Sequence, residues 1–453
     1  VVLLIVLLVT GLWLLFLYRI GAPWASVAAL TDDRLAGNWV RGVHRYASDA
    51  SILAVVVHLG RMFLERRTHG PRLLAWLTGV GLLGLLFVCG WTGFVLVWDQ
   101  FGELLAVEGA RIIDALPILA KPLQLTFLGD QAIPSAFFFV NLFLHVALPL
   151  GLGLGLWLHV SRVARPTLLP PRRLWVAVVV GLVVLAFARP LRIAPEANPF
   201  RLAESVPVDW FYAFWLPLHA ALPPWGAWLG VTTLVGALLA VPWLTGEPKG
   251  SAEPSRVDSR LCTGCEQCAH DCPYEAIAMV ARTDGRAKLV AKVAQDRCVS
   301  CGICAGSCEV SAVGPPGRNG RDQLEWAKHD YDRPAVAGRV VMLRCAHAAG
   351  SQASSSDVLV TTVACVGSVH PNMIGAAMDA GASGVVLAGC PSRDCWHREG
   401  PKWATERVAG RREARLPAGV EPSRVVVVDA TDAGAVAAAV AGLAVERTAQ
   451  VAR

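Results

Sequence analysis

Long apolar runs fill the first half of the chain and stop near residue 245. Six of them, at about 1–20, 44–64, 73–98, 136–161, 173–189 and 226–244, are long enough to cross a bilayer as helices. Beyond 246 the pattern is that of a soluble protein. Short β-branched runs at Arg339–Leu343, Val358–Thr361, Gly384–Ala388 and Val425–Val428 alternate with helical stretches at 371–382, 400–414 and 432–444. That order predicts a parallel sheet flanked by helices. The fold class expected is therefore multidomain: a six-helix membrane bundle over 1–245, a small α+β unit over 246–320, and an α/β parallel-sheet unit over 335–453.

Composition adds orientation. The 54% hydrophobic and 17% charged content of these 453 residues averages two unlike halves. The net charge of +6 comes without a basic cluster interleaved with aromatics, so nucleic acid is not an expected partner. The short links carry Arg61, Arg66, Arg67 and Arg72, then Arg162, Arg165, Arg172 and Arg173, whereas links 99–135 and 190–225 mix acids with bases. By the positive-inside rule the arginine-rich links are cytoplasmic. The expectation is a multi-pass protein of the cell inner membrane with a cytoplasmic tail. The chain opens in an apolar run without methionine, which suggests a missing native start, and no basic n-region or cleavage site supports a signal peptide.

Four histidines stand in two pairs of identical spacing, His44 and His58, then His145 and His159. Fourteen residues are almost four turns, so both imidazoles of a pair share a helix face, roughly 21 Å apart along the axis. Two such helices facing each other would hold two haems, each between one histidine from either helix. Paired imidazoles leave iron no open position, which suits electron transfer. The alternative, packing or hydrogen bonding, is weak for four intramembrane histidines at a repeated spacing.

Around these histidines the chain resembles cytochrome b of the quinol-oxidising bc complexes, over residues 1–245. The resemblance rests on Arg41-Gly-Val-His44, His58-Leu-Gly-Arg61, Gly79 and Gly93 fourteen apart, Gly11 in Thr-Gly-Leu-Trp, and Gly93-Phe-Val-Leu-Val-Trp98-Asp-Gln. It implies two b haems, propionate pairing by Arg41 and Arg61, and glycines that leave room for the porphyrin faces. Helix packing is the other reading of the glycines. Val206-Pro-Val-Asp209-Trp210-Phe-Tyr212, following Ala197-Asn-Pro-Phe200, looks like the link where the family carries Pro-Glu-Trp-Tyr. Asp209, beside Trp210, takes the place of the acid that accepts a quinol proton at the outer face. A carboxylate beside apolar surface can relay protons near neutral pH, while an exposed loop acid is the plain alternative.

The most specific signal lies in the tail. Cys262, Cys265, Cys268 and Cys272, followed by Pro273, are repeated in spacing by Cys298, Cys301, Cys304 and Cys308, with Glu309 in the proline place. This is the bacterial two-cluster ferredoxin run, in which the fourth cysteine of each motif serves the other cluster. One [4Fe–4S] cluster would use Cys262, Cys265, Cys268 and Cys308, the other Cys298, Cys301, Cys304 and Cys272. Disulfides are disfavoured in a reducing compartment, and zinc would not need two nested motifs.

Four further cysteines, Cys345, Cys365, Cys390 and Cys395, sit at or just beyond predicted strand ends, where ligands gather in such sheets. Val-Ala-Cys365-Val-Gly and Cys390-Pro-Ser-Arg-Asp-Cys395-Trp-His resemble the iron–sulfur delta subunit of methyl-viologen-reducing hydrogenase, over about 335–445. That resemblance implies one [2Fe–2S] cluster on the four thiols; buried small hydrophobes are the alternative. Cys89 is left as a packing residue, and surface or hydrogen-bonding roles are expected for His347, His370 and His397.

Together these readings describe one wire. Electrons from a cytoplasmic redox subunit (a flavoprotein, hydrogenase or heterodisulfide-reductase-like protein) would enter at the two-iron cluster, cross the four-iron clusters and both haems, and meet quinone. An oligomeric complex is expected, because the chain has no dinucleotide fingerprint of its own. Quinol oxidation with potential-driven reverse flow, or a docking scaffold with vestigial cofactors, are the competing readings.

Overall fold

The computed structural model describes residues 1–451 apart from 34–36, 66, 70–71, 118–119, 128–132, 162–167, 199, 201–208, 247–252, 287, 332, 349–355 and 393–394. Arg66, Arg162 and Arg165 of the basic links, Pro199 and Val206 to Val208 of the 190–225 link, and Arg393 and Asp394 lie outside the described residues. The chain forms two compact units, Val1–Glu247 and Pro248–Arg453.

The first unit is helical: α1 (Val2–Leu17), α2 (Pro23–Asp32), α3 (Asn38–Leu64), α4 (Leu73–Val97), α5 (Gln100–Asp114), α6 (Ser135–Ser161), α7 (Arg172–Ala188), α8 (Leu216–Ala221) and α9 (Pro224–Thr245). Among the described residues four helices, within α3, α4, α6 and α9, are long and apolar enough to cross a membrane. The other two predicted spans form as α1 and α7, helices of only 16 and 17 residues. Leu12, Phe16, Val57, Phe143, Leu150, Trp157 and Phe187 stand exposed on these helices, as lipid-facing side chains do.

The links contain structure that periodicity did not anticipate. Helix α4 stops where Trp98 turns left-handed, and the Asp99 carboxylate then caps α5 by accepting the Gly102 N–H at 2.9 Å. Phe101, Leu105, Ala106 and Ala110 of α5 build a small core with Trp98, Phe127, Phe138 and Ala213. Within the unit α4 packs along α6, α1 along α3, and α3 along α7.

The second unit begins with two antiparallel pairs: β1 (Arg256–Val257) with β4 (Val313–Gly314), and β2 (Ile277–Ala281) with β3 (Leu289–Val293). Two short helices, α10 (Gln267–Asp271) and α11 (Ile303–Gly306), carry the third cysteine of each motif. The backbone obeys the internal repeat. Gly264 and Ser300, Glu266 and Gly302, and Glu275 and Ser311 occupy equivalent motif positions, and all six have positive φ. Such turns point successive N–H groups into one concavity, which suits an anionic guest and offsets the strain at non-glycine residues.

After α12 (Gly320–Asp330) and α13 (Arg333–Val336) comes a four-stranded sheet of β5 (Val340–Cys345), β6 (Val358–Val363), β7 (Gly384–Gly389) and β8 (Val425–Asp429). Its order is β6-β5-β7-β8 and every pairing is parallel. Helices α14 (Pro371–Asp379), α15 (Gly400–Val408) and α16 (Ala433–Val451) flank it. Strand β7 is buried along its whole length, as expected of a central parallel strand. Helix α15 is shorter than the predicted 400–414, and Gly410 follows it with φ +66°, a left-handed stop of the kind that ends helices.

Candidate metal centres

In the membrane unit the four histidines meet as two pairs. The rings of His44 and His145 lie 6.3 Å apart, centroid to centroid, and those of His58 and His159 lie 6.4 Å apart. An imidazole nitrogen binds a transition metal at about 2 Å, and its ring centre lies about 1 Å farther, so two axial imidazoles on one iron stand about 6 Å apart. Both pairs fit that separation. Helices α3 and α6, which carry them, are not among the closely packed helix pairs of the unit.

Each of three imidazoles is held by the same device. The Nδ1 of His145 lies 2.9 Å from the Cys89 carbonyl oxygen and 3.1 Å from the Thr92 hydroxyl. A carbonyl only accepts, so Nδ1 carries the proton and Nε2 keeps its lone pair for a metal. His44 bonds the backbone of Leu7 and the hydroxyl of Thr10 at 2.9 Å. His159 bonds the backbone of Ala75 and the hydroxyl of Thr78 at 3.1 Å. In every case the residue after the threonine is a glycine. A Cβ on Gly11, Gly79 or Gly93 would stand 3.1, 3.2 or 2.9 Å from Cε1 of His44, His159 or His145. What stands directly over these glycines is thus an imidazole edge. Sequence reasoning found the glycines but missed Thr10, Thr78 and Thr92; the signal was a threonine immediately before each of Gly11, Gly79 and Gly93. Cys89, taken as a packing residue, contributes its carbonyl.

The other expected residues are placed as follows. Arg41 donates to the Thr31 hydroxyl at 2.9 Å, and Arg61 pairs with Glu65 at 2.8 Å. Asp209 does not stand as an acid against apolar surface. Its carboxylate pairs with Arg45 and accepts the N–H groups of Phe211 at 3.0 Å and Tyr212 at 2.6 Å. Trp210 is 77% exposed, whereas Tyr212 is fully buried, bonds the Ser48 hydroxyl at 2.6 Å and fills the space over Gly90. The aromatic that reaches the helix core is therefore Tyr212 and not Trp210.

In the tail, one cavity is lined by Cys262, Cys265, Cys268 and Cys308, and a second by Cys272, Cys298, Cys301 and Cys304. The structure thus brings the fourth cysteine of each motif to the other motif's trio. Backbone N–H groups already point at the sulfurs, Ala312 to Cys308 at 3.1 Å and Ala276 to Cys272 at 3.4 Å. Donors of this kind favour the thiolate form that iron requires.

The last four cysteines converge from the carboxyl ends of three neighbouring strands. Cys345 ends β5, Cys365 follows β6, Cys390 follows β7, and Cys395 precedes α15. The sulfurs of Cys345 and Cys390 are 3.6 Å apart, well beyond the roughly 2.05 Å of a disulfide. Cys365 bonds both Cys345 and Cys395, and Cys395 bonds Cys390, which closes a ring of four buried thiols. Four convergent thiols are a donor set for iron–sulfur chemistry.

The two halves of the tail share a buried ion cluster that no motif announced. Asp271 and Ser307, equivalent positions of the two motifs, hydrogen-bond at 2.6 Å. Arg407 of α15 donates to Ser307 at 2.8 Å and stands 3.6 Å from Asp271, and Arg412 binds the same carboxylate. Burial pulls the Arg407 guanidinium down to about 10, against the attraction of Asp271, so it stays charged at neutral pH. His370 bonds the Cys308 carbonyl at 3.1 Å, His397 bonds Tyr274 at 3.0 Å, and His347 stacks on Trp396.

Comparison with known proteins agrees with this geometry in three places. Residues 1–166 match the family Cytochrome b/b6/petB, residues 261–312 the 4Fe-4S dicluster domain, and residues 341–448 the delta subunit of methyl-viologen-reducing hydrogenase. The menaquinol:cytochrome c reductase cytochrome b subunit of Geobacillus thermodenitrificans is 27% identical over 165 residues, 35% of this chain and 74% of that protein. A solved hyperthermophilic respiratory Complex III chain is similar at 17% identity and TM-score 0.44, covering 54% of this chain and 73% of that one. The chain thus joins a cytochrome b-like membrane region, a 4Fe-4S dicluster region and a hydrogenase-delta-like region in one integral membrane electron-transfer subunit.

Proposed function

We propose that this chain passes electrons between a cytoplasmic redox subunit and membrane quinone, as part of a larger complex in the cell inner membrane. The observation that carries the reading is the facing of His44 with His145 and of His58 with His159 at the separation two axial imidazoles need. When bound, two b haems, two [4Fe–4S] clusters and one [2Fe–2S] cluster would supply one-electron carriers. The histidines would hold the haems, with the backbone of Leu7, Ala75 and Cys89 fixing three of their tautomers and Thr10, Thr78 and Thr92 bonding the same rings. The cysteine sets 262/265/268/308 and 272/298/301/304 would hold the four-iron clusters, and Cys345, Cys365, Cys390 and Cys395 the two-iron cluster.

The domain limits that go with this are 1–245, 246–320 and 335–453, with six spans and a cytoplasmic tail. Quinone is proposed because a similar protein is named a menaquinol reductase subunit, and because Asp209 and Tyr212 form a polar group with Arg45 and Ser48, which follow His44 on α3. In that group Arg45 orients the Asp209 carboxylate, and Ser48 orients the Tyr212 hydroxyl. A pyridine haemochrome assay tests the proposal: two haems b per chain are expected, and one or none would overturn it. His58→Ala and His159→Ala should each leave a single haem.

A further inference from the structure

Which ferredoxin site faces the four-thiol ring can be read from the seam between them. Cys301, Ile303, Cys365 and Trp403 form one buried cluster, with Tyr274 and Val299 packed against it. Helix α11 presses onto the turn after Cys365 so closely that a Cβ on Gly306 would stand 2.6 Å from the Gly367 carbonyl oxygen, and one on Gly302 2.9 Å from Ser368. Arg407 ties the two sides, donating to the Gly367 carbonyl at 2.8 Å and to that of Ile303 at 3.4 Å. Tyr274, which lines the 272/298/301/304 cavity, reaches His397, two residues past Cys395.

The other cavity, lined by Val257, Thr263, Glu266, Met279 and Ser307 beside its cysteines, meets Arg407 only through the Ser307 hydroxyl at 2.8 Å among the described residues, and Cys265 there is exposed. Cys308 touches the seam only through its carbonyl, at His370.

Two buried donors at the seam, the Trp403 indole N–H and the Arg407 Nε–H, have no acceptor among the described residues. Trp403 is only 4% exposed. A buried donor left unpaired is costly, so one that persists calls for an acceptor outside the protein's own hydrogen bonds. The sulfur-bearing members of its cluster are Cys301 and Cys365. Lys402 lies 4.0 Å and Arg412 4.1 Å from the ring centre, and two cations over an indole sharpen its N–H as a donor.

We propose that the four-thiol site is wired to the 272/298/301/304 site through the Cys365–Trp403–Cys301 contact, and that the Trp403 N–H serves a sulfur of that junction. The inference rests on the reading of the four thiols as an iron site. Its redox step moves one electron between neighbouring sites, with no bond made or broken and no proton transferred. A hydrogen bond to sulfur favours the reduced, more negative form. The 262/265/268/308 site is then the far end of the tail's relay.

The test is an EPR-monitored redox titration of the full chain in detergent, comparing the native protein with Trp403→Phe, which keeps the ring and removes the donor. The reduced-to-oxidised ratio of a junction centre at fixed potential should fall about tenfold, with the 262/265/268/308 centre within about twofold. No change, or a change confined to that far centre, overturns the proposal. Power saturation of the native, fully reduced chain is a second arm that needs no substitution and decides if Trp403→Phe loses iron. The four-thiol centre should couple strongly to one four-iron centre and weakly to the other. Equal coupling with about ten non-haem irons per chain defeats the junction alone. About eight non-haem irons defeats the four-thiol reading itself, and the junction with it.

Discussion

At the scale of single residues, the membrane unit seats an imidazole with three parts: a carbonyl, a threonine hydroxyl one turn on, and a glycine. The carbonyl fixes the tautomer, the hydroxyl adds a second bond to the ring, and the glycine lets the ring approach its neighbouring helix. Gly93→Val would force methyl groups into a space where a Cβ alone already stands 2.9 Å from His145. Haem content should fall from two to one, read by the haemochrome assay, with the membrane unit still folded by circular dichroism. Thr92→Val keeps the shape and removes the hydroxyl partner of Nδ1 while leaving the Cys89 carbonyl, so the haem should stay while its midpoint potential moves. Asp209 belongs to the same scale. If quinone chemistry uses the Asp209–Arg45 pair, Asp209→Asn should slow quinone turnover about a hundredfold and leave haem reduction from the tail intact.

At the scale of elements, the fold was legible wherever hydrophobic period and cysteine spacing act locally. The sheet strands and the long membrane helices follow from such runs. Helices α2, α5 and α8 were not legible, because their apolar faces meet only within the folded links, as Phe101 and Leu105 meet Phe127 and Ala213. The candidate ligands were legible because coordination chemistry demands fixed residue types at fixed spacing. Their supports were not, since a carbonyl such as that of Cys89 carries no residue signature. Asp271 and Arg407 lie 136 positions apart, and nothing in either neighbourhood announces their pairing. Both are almost wholly buried, so Arg407→Leu removes one of the two guanidinium groups beside the Asp271 carboxylate and should cost up to about 3–5 kcal/mol. The thermal midpoint of the tail should drop clearly; an unchanged midpoint would mean that Arg412 alone compensates Asp271. Gly264 has φ +71° and a Cβ there would stand 2.4 Å from the Leu289 carbonyl. Gly264→Val should therefore remove the 262/265/268/308 cluster, and iron per chain should fall by about four.

At the scale of the whole molecule, three regions that match different redox families sit in one chain, so electrons should pass from tail to membrane. A charge carried across the bilayer gains or costs about 2.3 kcal/mol per 100 mV, which makes the path electrically visible. The most direct test uses proteoliposomes with the tail outside, dithionite as impermeant reductant, a menaquinone analogue in the bilayer and an imposed potential. Quinone reduction should change several-fold with 100 mV of potential and disappear in His58→Ala. Turnover that survives in His58→Ala and ignores the potential would contradict a path through both histidine pairs.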